Sequence, residues 1–386
     1  MNRRKQLLAV VVVGSVITAG GFTALQQNKK VDFGSAIEAF YGQHQAGIEV
    51  ARQANLTFMA FDINEGVDKA AVGRMMRVLT ADAALLTQGQ GIIGDSQFEM
   101  AEYPARLTIT FGFGYSLFEK IEATNAWPIT QRSIPAYSID KLERQWSDGD
   151  LLIQVAGDDS ISIFHAVHEM ARDAAPFATI RWQQRGFSHA AGVNAGNNPR
   201  SLFGQVDGTA NAKNGTPEFE ERTWSTSPNN FAGGSTMVIR RIRFNFGTWD
   251  RLSTNKKDAA LGRKLSDGSP VSGGELSTPL DLDSKKSDGS YVIPEDAHVR
   301  NAFTDKNRGI TRRGANYDDN YLADGTHDAG LIFTSFQAEL KRFLDIQSAL
   351  SMMDSLNKWT TPVGSALFII PPGIEKGDWV GSSLLG

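Results

Sequence analysis

Cysteine is absent from this 386-residue sequence. Its absence excludes disulfides, iron–sulfur clusters, thiolate-ligated haem, covalent haem attachment through Cys-x-x-Cys-His and a lipid-modified cysteine after export. Any metal or prosthetic group must be held by His, Asp, Glu, Tyr or Met. Histidine is also scarce, with six residues. A surplus of charge is missing too. The formal net charge is -4, and basic residues are scattered apart from short pairs such as Lys256-Lys257, Lys285-Lys286 and Arg312-Arg313. Neither nucleic acid nor an acidic membrane is implied as a partner.

Long apolar runs are lacking except at the start. Met1-Asn2-Arg3-Arg4-Lys5 is basic, Leu7 to Ala24 is apolar with some Gly, Ser and Thr, and Gln26 to Lys30 is polar. This is the pattern of an export signal over residues 1–30, and the expected location is the periplasm. The run is nearly long enough to span a bilayer, so an N-terminal membrane anchor is the alternative. Arg3-Arg4 is compatible with twin-arginine export, which would carry a folded, cofactor-loaded protein.

The remainder has the composition of a soluble globular protein, with 41% hydrophobic residues, 21% charged residues and 38 glycines. Two domains of similar layout are legible, at 36–192 and 193–386. In the first, Leu56 to Asn64 reads as a strand. Asp68 to Leu86 has helical spacing, with Val72, Met75, Met76, Leu79 and Leu86 recurring. Leu107 to Gly114 alternates strictly, with Leu107, Ile109, Phe111 and Phe113 on one face. Leu151 to Ala156 is a strand. Ile161 to Ala174 is an amphipathic helix with Ile163, Phe164, Val167 and Met170 inward, and Ile180 to Gly186 closes the unit.

The second half repeats the order. Thr236 to Phe246, Gly330 to Ala338 and Ala366 to Ile370 are strands, and Leu340 to Leu356 is a helix with Leu340, Phe343, Leu344, Leu350, Met353 and Leu356 in register. The fold class is α+β, with two tandem ferredoxin-like domains, each an antiparallel sheet covered by helices. Two long irregular stretches, Val193 to Pro228 and Ser266 to Ile293, interrupt the second half; the latter reads as a mobile surface insertion.

Among the histidines, His165 and His168 stand three apart in the first-half helix. With no third ligand evident, they read as one core and one surface residue rather than a metal pair. His298 lies in Ile293-Pro294-Glu295-Asp296-Ala297-His298-Val299-Arg300, at a predicted helix start after the long insertion. Asp207 lies in Gly204-Gln205-Val206-Asp207-Gly208-Thr209-Ala210-Asn211. Taken alone, Asp-Gly is an Asx turn; alternatively, the glycines let backbone approach a bulky ligand.

Gly204-Gln205-Val206-Asp207-Gly208 resembles the Gly-x-x-Asp-Gly motif of dye-decolorizing haem peroxidases. Phe40 to Ile48 is similar to the start of the exported, iron-uptake-linked branch of that family. Leu107 to Gly114, Val238 to Arg263, Ile293 to Arg300, Arg312-Arg313-Gly314 and Pro362 to Gly373 follow in the family's order. The resemblance spans roughly residues 36 to 386. It implies non-covalent haem b bound mainly in the second domain, with His298 as axial ligand to the iron and Asp207 and Arg312 as distal acid and cation. It also implies backbone contacts with the haem at Gly208, Thr209 and Ala210, Asp345 as the acid bonded to the proximal histidine, and Arg263 facing a propionate. Where the family usually carries Asn-Pro after the histidine, this sequence has Phe303-Thr304; haem contacts are expected at Phe303, Thr304 and Asp305.

The implied substrates are hydrogen peroxide and a small-molecule reductant. A distal carboxyl implies turnover best at acidic pH. Reductants too large for a buried pocket would give electrons through surface aromatics, for which seven tryptophans are available. The alternative function is a deferrochelatase, a periplasmic haem-handling protein releasing iron from haem alongside iron-uptake components. A homodimer is expected by analogy with other ferredoxin-like sheets.

Overall fold

Asn55–Ile63 forms the central strand of the first half because its residues alternate between two covered faces. Met59, Phe61 and Ile63 point to one side and Phe58 and Ala60 to the other, all buried. A computed structural model describes residues 33–190, 192–193, 198–227, 230–303 and 309–386. The expected signal or anchor, residues 1–30, lies outside them, as do Thr304 and Asp305.

The strands are β1 (Asn55–Ile63), β2 (Thr108–Phe113), β3 (Leu151–Gly157), β4 (Ala178–Phe187), β5 (Ser235–Phe244), β6 (Thr311–Arg312), β7 (Ala315–Tyr321), β8 (His327–Gln337) and β9 (Thr360–Ile370). Six helices matter here: α1 (Lys69–Leu86), α2 (Ser160–Ala174), α3 (Pro217–Thr223), α4 (Thr254–Leu261), α5 (His298–Ala302) and α6 (Leu340–Met353). All strand pairings are antiparallel. The first half has the order β2-β3-β1-β4 and the second β9-β5-β8-β7, with β6 also on β8. Each is the ferredoxin-like order expected. Single residue pairs, Phe113↔Ile369 and Phe187↔Asn316, join the two sheets at both edges and close eight strands into a circuit.

Inside that circuit the two sheets pack face to face. Phe58, Ala60, Leu152 and Trp182 of the first meet Met237, Ile239, Ile332, Phe336 and Phe368 of the second. The outer face of the first sheet is filled by α1 and α2. Asp68 caps α1 by accepting from Ala71 N, and Val72, Met75, Met76 and Leu79 are buried against Phe61, Ile109 and Phe111. Asp159 caps α2 in the same way, accepting from Ser162 N. Phe164 corrects the sequence reading. The inward stripe runs Ile163, Ala166, Val167, Met170, and Phe164 lies outside it, 51% exposed beside His168.

The outer face of the second sheet is covered differently. α6 seats Leu340 and Phe343 against Val238 and Leu367, but Ile346 and Leu350 face a cavity. The helix also ends earlier than its periodicity predicts. Asp354 leaves the helix with extended backbone, and its carboxylate then accepts from Leu356 N in a following 3-10 turn. Two other expectations change. The stretch from Val193 to Pro228 contains α3, started by Thr216 as N-cap and Pro217. The insertion from Ser266 to Ile293 lies at the surface but is pinned: Arg200 donates to Ser266 O, Arg263 to Gly268 and Leu276 O, and Arg300 to Leu282 and Ile293 O.

Candidate active site

The outward side chains of β5 and β8, Ile242, Phe244, Leu331 and Phe333, form one wall of a cavity of about 280 Å³, and α6 forms another. A second lobe of about 150 Å³ lies on its flank, against Val206, Arg263 and Leu280. Asp207, Ala210, His298, Phe303 and Arg312 line both lobes.

His298 is the first residue of α5, and its mount is rigid. Arg300 donates to the carbonyls of Ile293 and Pro294 at 3.2 Å, and Ser355 N donates to Asp296 O at 2.8 Å. His298 Nδ1 stands 2.6 Å from Asp354 Oδ2. A carboxylate only accepts, so Nδ1 carries the proton and the Nε2 lone pair is left for a ligand. Among the described residues Nε2 has no protein partner. Asp354 is itself buried, with its other oxygen on Leu356 N. The sequence expectation of Asp345 as the acid bonded to this histidine is thereby corrected. Asp345 sits on the helical run of α6, and Lys341, one turn away, donates to it at 2.6 Å.

The other pole of the cavity is built from two loops stitched together. Asp207 N donates to Pro199 O, and Gly208 N donates to Asp207 Oδ1 at 2.7 Å. Gly208 has φ +76, a left-handed turn that favours glycine. Arg312, on β6, places Nη2 3.9 Å from Asp207 Oδ1. Asn211 clamps the Arg312 backbone from both sides, donating Nδ2 to Arg312 O at 2.7 Å and accepting Arg312 N on Oδ1 at 3.0 Å. Arg52 donates to Gly314 O and reaches Arg312 O at 3.4 Å.

This pole is rich in positive charge. Burial pushes the Arg52 guanidinium below its ordinary value, against the pull of Asp207 and with help from Arg312. Arg263 is lowered by burial and by Arg312. Arg313 is pushed down to about 9 by burial and by Arg52 and Arg106; it donates to the neutral acceptors Val50 O and Gln53 Oε1. Guanidiniums crowded this way favour an anion, or negative charge developing on an oxygen, beside Arg312.

The structure thus brings Asp207, Ala210, His298, Phe303 and Arg312 to one cavity, with Thr209 and Arg263 in the smaller lobe. Gly208 lines neither lobe. Asp354, Asn211 and Arg52 were not singled out from sequence. Asp354 was hidden by a helical stripe that appears to run on to Leu356; Asn211 and Arg52 act across more than a hundred residues of chain.

The donors fit a haem. His298, whose Nε2 has no partner among the described residues, lines a mostly apolar cavity, and two buried polar atoms on it, Arg240 Nε and Gln205 Oε1, lack hydrogen bonds among the described residues. Arg263, which donates to the backbone carbonyls of Gly268 and Leu276, is a cation suited to a carboxylate at the smaller lobe.

Comparisons with known proteins point to one family. Family models described as Dyp-type peroxidase, N-terminal, and Dyp-type peroxidase, C-terminal, match residues 45–188 and 198–375. A dye-decolorizing peroxidase of Thermobifida fusca is 36% identical over 293 residues, 73% of this chain and 68% of the relative. A deferrochelatase of Escherichia coli K12 is 29% identical over 420 residues, 99% of this chain and 96% of the relative. Among solved structures, a DyP-type peroxidase from Cellulomonas bogoriensis superposes with a TM-score of 0.88 at 36% identity, covering 92% of this chain and 99% of that one. Ferric DtpA from Streptomyces lividans gives the same score and identity, covering 92% and 98%.

Proposed function

Since this chain belongs to the Dyp-type peroxidase family and is a haem-dependent peroxidase, we propose that His298 would hold the haem iron and that Asp207 and Arg312 act on peroxide across the same cavity. The observation that carries this reading is the paired geometry: His298 Nδ1 held by buried Asp354 at 2.6 Å, and Arg312 against Asp207 at 3.9 Å, on one cavity. Haem, when bound, supplies the redox-active iron at which the peroxide O–O bond breaks. Asp354 fixes the tautomer and orientation of His298 and makes its Nε2 a stronger donor. The Asp207 carboxylate takes a proton from one peroxide oxygen and returns it to the other. The Arg312 guanidinium stabilises negative charge on the departing oxygen. Thr209, Ala210 and Phe303 would border the group, and Arg263 would hold one of its carboxylates. The cofactor is haem b, bound without covalent attachment, in a second domain taken as 193–386, with 36–192 as the first.

The test is spectroscopic. His298→Ala should lose the haem Soret band. Asp207→Asn and Arg312→Leu should keep it while losing about 10²–10³-fold in turnover, the usual loss on removing a charge-stabilising group. An unchanged spectrum in the His298 variant would refute the assignment.

The full-length match to deferrochelatases favours a second reading, release of iron from haem together with iron-uptake components. Dye oxidation and free porphyrin, followed together after adding haem and peroxide, separate the two: porphyrin without dye turnover selects the second. Export to the periplasm is proposed on the basic, apolar, polar order of residues 1–30. Among the described residues no helix is long and apolar enough to cross a membrane. A homodimer is proposed by analogy with other ferredoxin-like sheets.

A further inference from the structure

The geometry points to a second metal site, in the first half of the chain and separate from the haem cavity: we propose that Asp95, His165 and Glu169 bind one divalent transition-metal ion of the zinc type. His165 and Glu169 stand four apart on α2 and so share one helix face. Asp95, in the connection between α1 and β2, meets them there, with its Oδ2 3.0 Å from His165 Nε2. One donor atom from each of the three falls within 4.8 Å of the others. Donors bound at about 2.1 Å around one tetrahedral zinc stand about 3.4 Å apart, a closure that side-chain rotation supplies. One imidazole with two carboxylates is a ligand set of that class.

Burial and charge are the independent observations. The side chains of Asp95 and His165 are 1% and 2% exposed, and Glu169 is 4% exposed. Glu169 Oε2 is buried and takes no aligned hydrogen bond among the described residues, although Arg172 lies against it as an ion pair. Asp82 of α1 is 7% exposed and shares a side-chain hydrogen bond with Asp173, so it brings a proton rather than a charge to the cluster. Three carboxylates, Asp95, Glu169 and Asp173, thus face a single guanidinium, Arg172. Buried charge of one sign is costly unless a counter-charge joins it. A divalent ion supplies that charge and takes up the Glu169 oxygen that lacks a hydrogen bond. Arg172, about one-third exposed, marks the way in from solvent.

The test uses full-length, haem-loaded protein, so that His298 is already engaged, stripped of other metals with EDTA and dialysed against Zn²⁺. One Zn²⁺ per chain should be retained, and the melting temperature should rise with Zn²⁺. Glu169→Gln, which keeps the side-chain shape, should weaken binding at least tenfold and abolish the Zn²⁺-dependent rise, with dye turnover unchanged. Asp95→Asn should do the same. No retained Zn²⁺ in the unmodified protein, or Zn²⁺ affinity in both variants equal to that of the unmodified protein, overturns the site. Because both variants preserve shape, neither outcome depends on His165→Ala, which leaves a buried hole.

Discussion

The two halves share a strand order and differ in what covers the outer face of each sheet. In the first, α1 and α2 fill that face with Val72, Met75, Leu79, Ile163 and Met170. In the second, α6 covers part of it, and the connection from β5 to β7 does not supply a long helix as α1 does between β1 and β2. It winds instead through α4, the insertion and α5, and returns as β6. That detour delivers His298 and Arg312 to the uncovered face. The comparison teaches that the site arises from one substituted crossover: the same sheet that elsewhere carries a sealed core here carries a cavity.

The largest effect that would break this comparison is in the cores. Phe111→Ala, at a fully buried position under α1 and α2, should cost about 3–5 kcal/mol of stability with or without haem. Leu350→Ala, at the cavity wall on α6, should cost no more than about 2 kcal/mol without haem, because part of its surface already lacks packing partners. Its larger effect should be weaker haem retention. Denaturant titrations of both variants, with and without haem, check the contrast; equal costs would mean that the second face is as well packed as the first.

Next in size is the buried acid behind the histidine. Asp354→Asn leaves the shape and removes the charge, and should lower haem affinity by about 10–100-fold. Asp345→Asn, inside α6 and paired with Lys341, should leave affinity unchanged. Haem titration followed at the Soret band distinguishes the two, and reversed effects would restore Asp345 to the role expected of it from sequence.

That exchange of acids shows where sequence reading ran out. Both ferredoxin-like units were legible, because alternation at Ile109, Phe111 and Phe113 and helical recurrence at Val72, Met75, Met76 and Leu79 report directly on which face is buried. The motif around Asp207 and the context of His298 were legible as a resemblance. Asp354 was not, since Met353 and Leu356 prolong an apolar stripe across a helix end fixed by backbone geometry alone. Nor was Phe164, because a helical stripe one residue wide at its edge does not declare its limit. His165 lacked a visible third ligand because Asp95 is 70 residues away along the chain.

A smaller effect separates the halves electrostatically. The second half gathers arginines around its cavity, whereas the first buries acids. Asp82 is raised to about 7 from an ordinary 3.8, by burial first and then by Asp173 and Glu169, against Arg172. The folded carboxyl therefore keeps its proton between about pH 4 and 7, where the unfolded one has lost it. The folded state binds more protons there, so stability falls as pH rises through that window. In EDTA, Asp82→Asn should be more stable than the parent at pH 7.5 by on the order of 2 kcal/mol and no different near pH 4. Melting curves across that range decide it; a pH-independent difference would point to packing instead.

The smallest effect tests whether the stitching at the distal pole serves chemistry or stability. Asn211 joins the Asp207 loop to β6 through two hydrogen bonds to one residue, Arg312. Loss of both frees the guanidinium from its register against Asp207, while β6 keeps its pairing to β8 through Thr311↔Phe336 and Arg312↔Ser335. Asn211→Ala should therefore lower turnover about tenfold, the equivalent of one or two ordinary hydrogen bonds expressed in the barrier, with the Soret band and haem affinity unchanged. Asn211→Asp keeps the acceptor for Arg312 N but loses the donor, and should fall between the two. If turnover is untouched in both and only the melting temperature drops, the clamp holds the loops together without placing Arg312, and the distal pole is positioned by Arg52 and the sheet alone.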